Sequence, residues 1–222
     1  MNREDGFIGY GIKKDEFIKE CSDLDDIIVF RKDGKMIISR IAEKTFVGKD
    51  IEFVDVWKKG DERTTYNVIY LDGESGRAMA KRFNVTGITR DKEYDLSKGH
   101  PKSKLLYFSC NTEGEAETVT IHLTAGCKAK IKVFDFDFSE LEIKGRSSLG
   151  NIVTKYPVRK IALKEKGKST LGAQQVWYDP NTGRFNTEER GIYLGGMNKG
   201  DQLISLYKSG SYEITEYDIN NR

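Results

Sequence analysis

The run Lys144-Gly-Arg-Ser-Ser-Leu-Gly150, followed by Lys155, Arg159 and Lys160, holds the residue types that grip a phosphate. Eight basic residues and one acidic one, Glu165, lie between Lys144 and Lys168. Gly145 and Gly150 allow a tight turn whose backbone N–H groups approach an anion closely. Arg146, Ser147 and Ser148 add side-chain donors for the same oxygens. The run equally fits a lysine-rich, solvated edge strand that blocks aggregation. From these residues alone both readings stand.

Other constellations stop short of chemistry. Gly145 and Gly150 have the glycine spacing of a P-loop, but Asn151-Ile152 stands where Lys-Ser/Thr belongs. Gly6-Phe-Ile-Gly-Tyr-Gly11 has the wrong spacing for a dinucleotide fingerprint and no βαβ context. Asp135 and Asp137 alternate with Phe134, Phe136 and Phe138, the pattern of a solvated face over a buried one rather than a catalytic pair. His100 and His122, with Cys21, Cys110 and Cys127 far apart, make neither a zinc cluster nor a disulfide framework. No catalytic residue, metal or cofactor is expected. Trp57, Tyr66, Tyr70, Trp177 and Tyr178 have faces on which unpaired bases stack, yet strand aromatics at this density usually form the core of a β array.

The elements that must position the basic run are strands. An apolar run, a Gly-containing turn and a second apolar run recur: Ile27 to Ile38 around Gly34, Val68 to Gly73, Leu105 to Gly114, and Leu203 to Gly210. Gly150 to Thr154 is a weaker copy. Taking Ile27, Val68, Leu105, Ile152 and Leu203 as markers, the intervals are 41, 37, 47 and 51 residues. A mean near 44 is the period of a radial β array, each unit a small sheet unable to bury its face alone. No amphipathic helix of twelve residues and no Pro-, Gly- or Ser-rich linker interrupts the pattern. The expectation is one all-β domain over residues 1–222, a propeller-like ring of about five four-stranded blades.

The formal net charge is +2 and is unevenly spread. Residues 1–26 carry −4, residues 124–170 carry +6 and residues 171–222 carry −2. Local density of one sign is what a polyanion-binding surface needs. No apolar stretch has bilayer length, and the N-terminus lacks the apolar core of a signal peptide. With three unpaired cysteines, a cytoplasmic location without a membrane partner is expected.

The run Asp25-Asp-Ile-Ile-Val-Phe-Arg-Lys-Asp-Gly-Lys35 resembles the repeated hairpin of the C-terminal domain of bacterial type IIA topoisomerase A subunits (the gyrase A family). Lys144 to Ile161, Lys81-Arg-Phe-Asn-Val-Thr86 and Lys130 to Phe138 are most similar to its topoisomerase IV members. The resemblance runs from about Gly6 to Lys166 and implies a β-pinwheel, a propeller-like ring whose blades exchange strands. The implied role is to hold and bend double-stranded DNA on a basic outer rim. The implied partners are the rest of the A subunit, together with an ATPase B subunit. The cleaving tyrosine and the ATPase then lie outside this chain, which is no enzyme by itself.

Gyrase carries a box of the form Gln-Arg-Arg-Gly-Gly-Lys-Gly here; of the seven residues Lys144 to Gly150 only Arg146 and Gly150 agree, which favours relaxation and decatenation over wrapping. The leading phosphate contacts are then Lys144, Arg146, Lys155, Arg159 and Lys160. Arg40, Lys44, Lys49, Lys81, Arg82 and Arg90 rank second, on neighbouring blades. The alternative is a propeller-type protein-interaction platform whose basic strip serves solubility.

Overall fold

The computed structural model describes residues 1–12, 15–198 and 200–217. The chain divides into two compact units, Met1–Thr170 and Leu171–Arg222. Both are built of strands, and among the described residues the one helical element is a 3-10 turn at Phe138–Glu140, capped by the Asp137 carboxylate.

The first unit opens with β1 (Phe7–Ile8) and continues as three sets of strands. The first set is β2 (Asp26–Arg31), β3 (Lys35–Arg40), β4 (Thr45–Phe46) and β5 (Ile51–Trp57). The second is β6 (Thr65–Leu71), β7 (Ala78–Asn84), β8 (Tyr94–Asp95) and β9 (Lys104–Asn111). The third is β10 (Thr118–Leu123), β11 (Val133–Asp137), the pair β12 (Ile143–Gly145) and β13 (Asn151–Thr154), and β14 (Val158–Glu165). In every set the first strand is central, antiparallel to both the second and the last.

The intervening strand leaves its own set. β8 pairs with β3 of the set before, and β12 and β13 both pair with β7. β4, the corresponding strand of the first set, pairs with β1. Strand exchange between successive sheets is therefore the rule of this unit.

Packing explains the sequences of the central strands. Ile28 and Phe30 of β2 enter a core shared with Tyr66, Val68, Tyr70 and Phe83 of the second sheet. Ile27 and Val29, on the opposite face, pack with Met1, Ile8, Val47 and Ile51. Ile69 of β6 likewise turns away from Val68 and Tyr70, into a third core with Ala80, Val119, Ile121 and Phe138. Strands buried on both faces read as continuous apolar runs, which is why Ile27 to Phe30 shows no alternation. Full burial of a side chain such as Phe30 stabilises by about 2–3 kcal/mol.

A polar network is buried beside these cores. Arg82 donates to Asn67 Oδ1 (3.1 Å), to the Leu141 and Gly114 carbonyls (3.3 and 2.9 Å) and to Thr170 Oγ1 (2.9 Å). Asn67 in turn donates to Glu117 at 2.7 Å. These bonds join the second sheet to the third set, and a half-satisfied version would cost more than an apolar core.

In the second unit β15 (Gln174–Asp179) is central between β16 (Arg184–Asn186) and β17 (Ile192–Met197). β18 (Gln202–Leu206) and β19 (Tyr212–Glu216) form a hairpin. Trp177 packs on Tyr193 and Tyr178 on Phe185, at 5.1 and 5.9 Å between ring centres.

Two of the five sequence markers fall elsewhere than at the start of a set. Leu105 lies on β9, which closes the second set, and Ile152 lies on the exchanged strand β13. The third set opens at Thr118. The described sheets hold four, five, three, three, two and two strands.

Candidate nucleic-acid interface

The basic segment takes its position from β7. β12 runs parallel to Arg82–Asn84, and β13 runs antiparallel to Ala78–Ala80 on the same strand. The connection, residues 146–150, crosses opposite Lys81 and is fastened at several points. Lys81 Nζ donates to the Arg146 carbonyl at 2.6 Å and to the Ser148 carbonyl at 2.9 Å. Tyr70 Oη donates to the Leu149 carbonyl at 2.6 Å. Ser148 N–H closes a turn onto Gly145 O at 3.0 Å.

The two glycines of the loop differ. Gly150 has φ of +77°, and a Cβ there would stand 2.1 Å from the Ala80 carbonyl oxygen, so only glycine fits. A Cβ on Gly145 would meet nothing within 4 Å. Glycine is thus required at one end of the loop only.

Arg146 is half-buried. Its Nη1 donates to Gly87 O at 2.8 Å, and its guanidinium carbon lies 4.2 Å from the centre of the Tyr94 ring. It is a fixed charge rather than a free arm. Lys144 is exposed, with Glu142 3.4 Å from its ammonium. Ser147 is exposed, whereas the Ser148 hydroxyl is buried without a partner among the described residues, out of reach of a ligand. Lys155 is exposed in the β13–β14 turn, and Arg159 and Lys160 are exposed on β14, an edge strand.

The second-rank cations separate into two groups. Lys81 and Arg82 are 2% exposed and are not surface contacts. Sheets cover both faces of β7 and the loop covers its edge, so these two cations face carbonyls and Asn67 instead of solvent. Burial pushes the Lys81 ammonium down to about 7, since desolvation disfavours its charged form. Arg40, Lys44, Lys49 and Arg90 are exposed. Arg90 makes a fork to Asp26 with contacts of 2.8–3.0 Å, and Arg40 reaches the same carboxylate at 3.5 Å. Lys44 lies 4.3 Å over the Phe7 ring.

Two residues of this region, Lys92 and Tyr94, carry no motif in the sequence. Lys92 lies 5.4 Å over the Tyr94 ring that also carries Arg146, so it adds a cation beside the loop. Thr89–Asp95 occupies the same slot in its set as Ala42–Lys49, and that correspondence is the available signal. Trp57 donates Nε1–H to Val85 O at 2.7 Å and belongs to the core rather than to a stacking platform. Asp135 accepts from Thr120 and Lys164, at 2.7 and 2.5 Å. Among the described residues no group of three or more His, Cys, Asp or Glu is placed to hold a metal, and no helix is long and apolar enough to cross a membrane.

Sheets that exchange strands, carrying a fastened loop flanked by exposed cations, define an all-β repeat domain with a fixed basic surface. The chain belongs to the family described as the topoisomerase C-terminal domain of Bacteroidota, whose model matches residues 1–166. The match ends close to the boundary at Thr170 between the two compact units. The A subunit of DNA topoisomerase 4 from Borreliella burgdorferi is 28% identical over 97 residues, 43% of this chain and 15% of that protein. The chain thus spans a small part of that relative's length. A solved structure, the crystal structure of the C-terminal domain of DNA topoisomerase IV, aligns over 87% of this chain and 70% of its own, with 10% identity and a TM-score of 0.43.

Proposed function

We infer that this chain is a non-catalytic domain that holds and bends duplex DNA for a topoisomerase IV-type A subunit. The observation that carries the reading is the fastened basic segment 144–160 in a member of the topoisomerase C-terminal domain family. Lys144, Lys155, Arg159 and Lys160 meet phosphates, Ser147 adds a hydroxyl, and Arg146 with Lys92 supplies fixed positive field. Arg40, Lys44, Lys49 and Arg90 contribute less, because Asp26 offsets two of them. Phosphate contacts give affinity without sequence preference, and the bendability of the duplex supplies what selectivity there is. In this reading the catalytic tyrosine lies on the rest of the A subunit, the ATPase lies on the B subunit, and the assembly works in the cytoplasm on whole DNA duplexes.

A protein-interaction platform is favoured by one observation. Ile204, Leu206, Tyr212 and Ile214 share one face of the β18–β19 hairpin and are all more than half exposed. Titration of a linear duplex of about 100 base pairs over a salt series separates the two. Sequence-indifferent binding that weakens steeply with salt supports the DNA reading; no binding at low salt leaves the platform.

A further inference from the structure

The outer edge of the first sheet is open beside an apolar cavity. β5 is an edge strand, paired with β2 alone. The Asp25 carbonyl accepts from Ile41 N–H, and the Ile38 carbonyl accepts from Asp91 N–H. The N–H and C=O of one residue point to the same side of an antiparallel strand, and successive residues alternate. Asp25 thus faces β3, and Ile38 faces away from β2, so Ile28 and Phe30 turn their backbone groups to β5. Asp55 and Phe53 stand opposite them and complete those bonds. Val54 and Val56 therefore present their N–H and C=O groups outward.

Arg3 closes one end of this edge through the Ile51 and Glu52 carbonyls, at 3.2 and 2.6 Å. The Val56 N–H is taken by the Asp55 carboxylate at 2.7 Å. Among the described residues, the N–H and C=O of Val54 and the C=O of Val56 have no hydrogen-bond partner. A cavity of about 500 Å³ lies against them. Ile8, Ile18, Val54 and Val56 give it an apolar lining that continues the core around Ile27. Asp15, Glu16, Glu20 and Asp55 also line it. Arg3 engages Glu16 and Lys19 engages Asp55, whereas among the described residues no cation pairs with Asp15 or Glu20.

We propose that the Val54–Val56 edge receives one extended segment of a protein partner, apolar at alternate positions and basic at those between, as a further strand of the first sheet. The slot shares no residue with segment 144–160, so it stands apart from the DNA reading. Three open backbone groups give an added strand its main-chain bonds. The alternation follows from the two faces of β5. Val54 and Val56 lie on the side of Ile27, while Asp55 lies between Phe53 and Trp57 on the other. A strand laid alongside sets its apolar residues beside the valines and its cations beside Asp55. A basic occupant also matches the charge of −4 on residues 1–26, which repels nucleic acid and acidic segments. β5 carries neither the lysine nor the proline that commonly guards an edge. Lys19, reaching Asp55 at 2.5 Å from outside the strand, holds the place that a partner's cation would take.

The test uses the full chain and two blocked decapeptides, one alternating valine with lysine and one alternating valine with glutamate. With the valine–lysine peptide the Val54 amide resonance should shift, and its hydrogen exchange should slow about tenfold. The valine–glutamate peptide should bind at least about tenfold more weakly. Asp55→Asn keeps an acceptor for the Val56 N–H and removes the charge, and should weaken the valine–lysine peptide about threefold to tenfold. Absence of binding, equal binding of the two peptides, or binding that leaves the Val54 amide unprotected overturns the proposal. Protection of that amide by self-association of the chain, without peptide, assigns the edge to a second copy and overturns it as well. None of these readouts involves DNA, so their failure leaves the DNA reading intact.

Discussion

The guanidinium of Arg146 lies 4.2 Å from the centre of the Tyr94 ring. Arg146 belongs to the connection between β12 and β13, and Tyr94 opens β8. Both are in segments that leave their own set to join the preceding sheet. The contact therefore links two successive exchanged segments and carries the basic loop of one set to the polar loop of another. A cation–π contact at such a partly exposed position contributes about 0.5–1 kcal/mol.

Tyr94→Ala should weaken duplex binding by about twofold to fivefold, the equivalent of losing that contact. Tyr94→Phe, which keeps the ring, should bind within about twofold of wild type. Equal losses in the two variants would assign the effect to the hydroxyl, which accepts from the Thr89 N–H at 2.8 Å.

The two glycines of the loop should respond differently. Gly150→Ala forces a side chain into a left-handed conformation and against the Ala80 carbonyl, and should cost at least about 2 kcal/mol. Gly145→Ala adds a methyl in open space and should change stability by no more than about 0.5 kcal/mol. Urea unfolding of the two variants side by side measures the contrast, and similar values for both would contradict the loop geometry.

Arg82 is a structural cation. Arg82→Met leaves Asn67 Oδ1 and the Gly114 and Leu141 carbonyls without their donor. A loss of about 3–5 kcal/mol is expected, as for other broken buried charge networks. Arg40→Met, at an exposed position, should stay within about 0.5 kcal/mol. The same unfolding experiment decides, and a mild Arg82→Met would remove the network from the account.

Stability should pass through a maximum on the alkaline side. Lys81 is held down to about 7 by burial, so the folded chain binds its proton less readily than the unfolded chain. Its contribution is lost as pH falls through that value and rises with pH towards the unfolded lysine value of about 10.4. Burial, aided by acidic neighbours, pushes Tyr70 and Cys110 up to about 12, and burial raises Tyr66 as well. Their stabilisation is complete below the unfolded values of about 8.5 for Cys and 10 for Tyr, and is lost as pH rises through the folded ones. Urea midpoints should climb from about pH 7 to 8.5 and fall above about pH 10. Lys81→Met should flatten the rising limb and keep the falling one.

Several of these features are legible in the sequence. The Gly34, Gly73 and Gly210 turns between β-rich runs mark three hairpins, and alternation at Phe134, Asp135 and Phe136 marks β11. The basic run is also visible as a local excess of charge. Which strand joins which sheet is not. β8, β12 and β13 are two to four residues long and pair with strands five or six elements earlier, so periodicity carries no trace of their destination. That gap is why Lys81 and Arg82 look like surface contacts in the sequence. Locally, Ala78 to Asn84 is a strand with two cations, and nothing in it says that a loop some 65 residues further on will close over them. Leu105 looks like the start of a unit because its run is as apolar as Val68 to Leu71, although it lies on the last strand of the set that Val68 opens.

In the proposed function, duplex DNA is held through the exposed cations of segment 144–160. The most direct test is the salt slope of duplex binding for the wild-type chain, for a Lys144/Lys155/Arg159/Lys160 quadruple alanine variant, and for an Arg40/Lys44/Lys49/Arg90 quadruple alanine variant. Each phosphate contact contributes about 0.9 to the slope of log affinity against log salt, so the first variant should lose about three to four units of slope. The second should lose about two or less, because Asp26 already engages two of its four cations. A steep slope unchanged in the first variant and lost in the second would contradict the claim and place the DNA on the first set of strands instead.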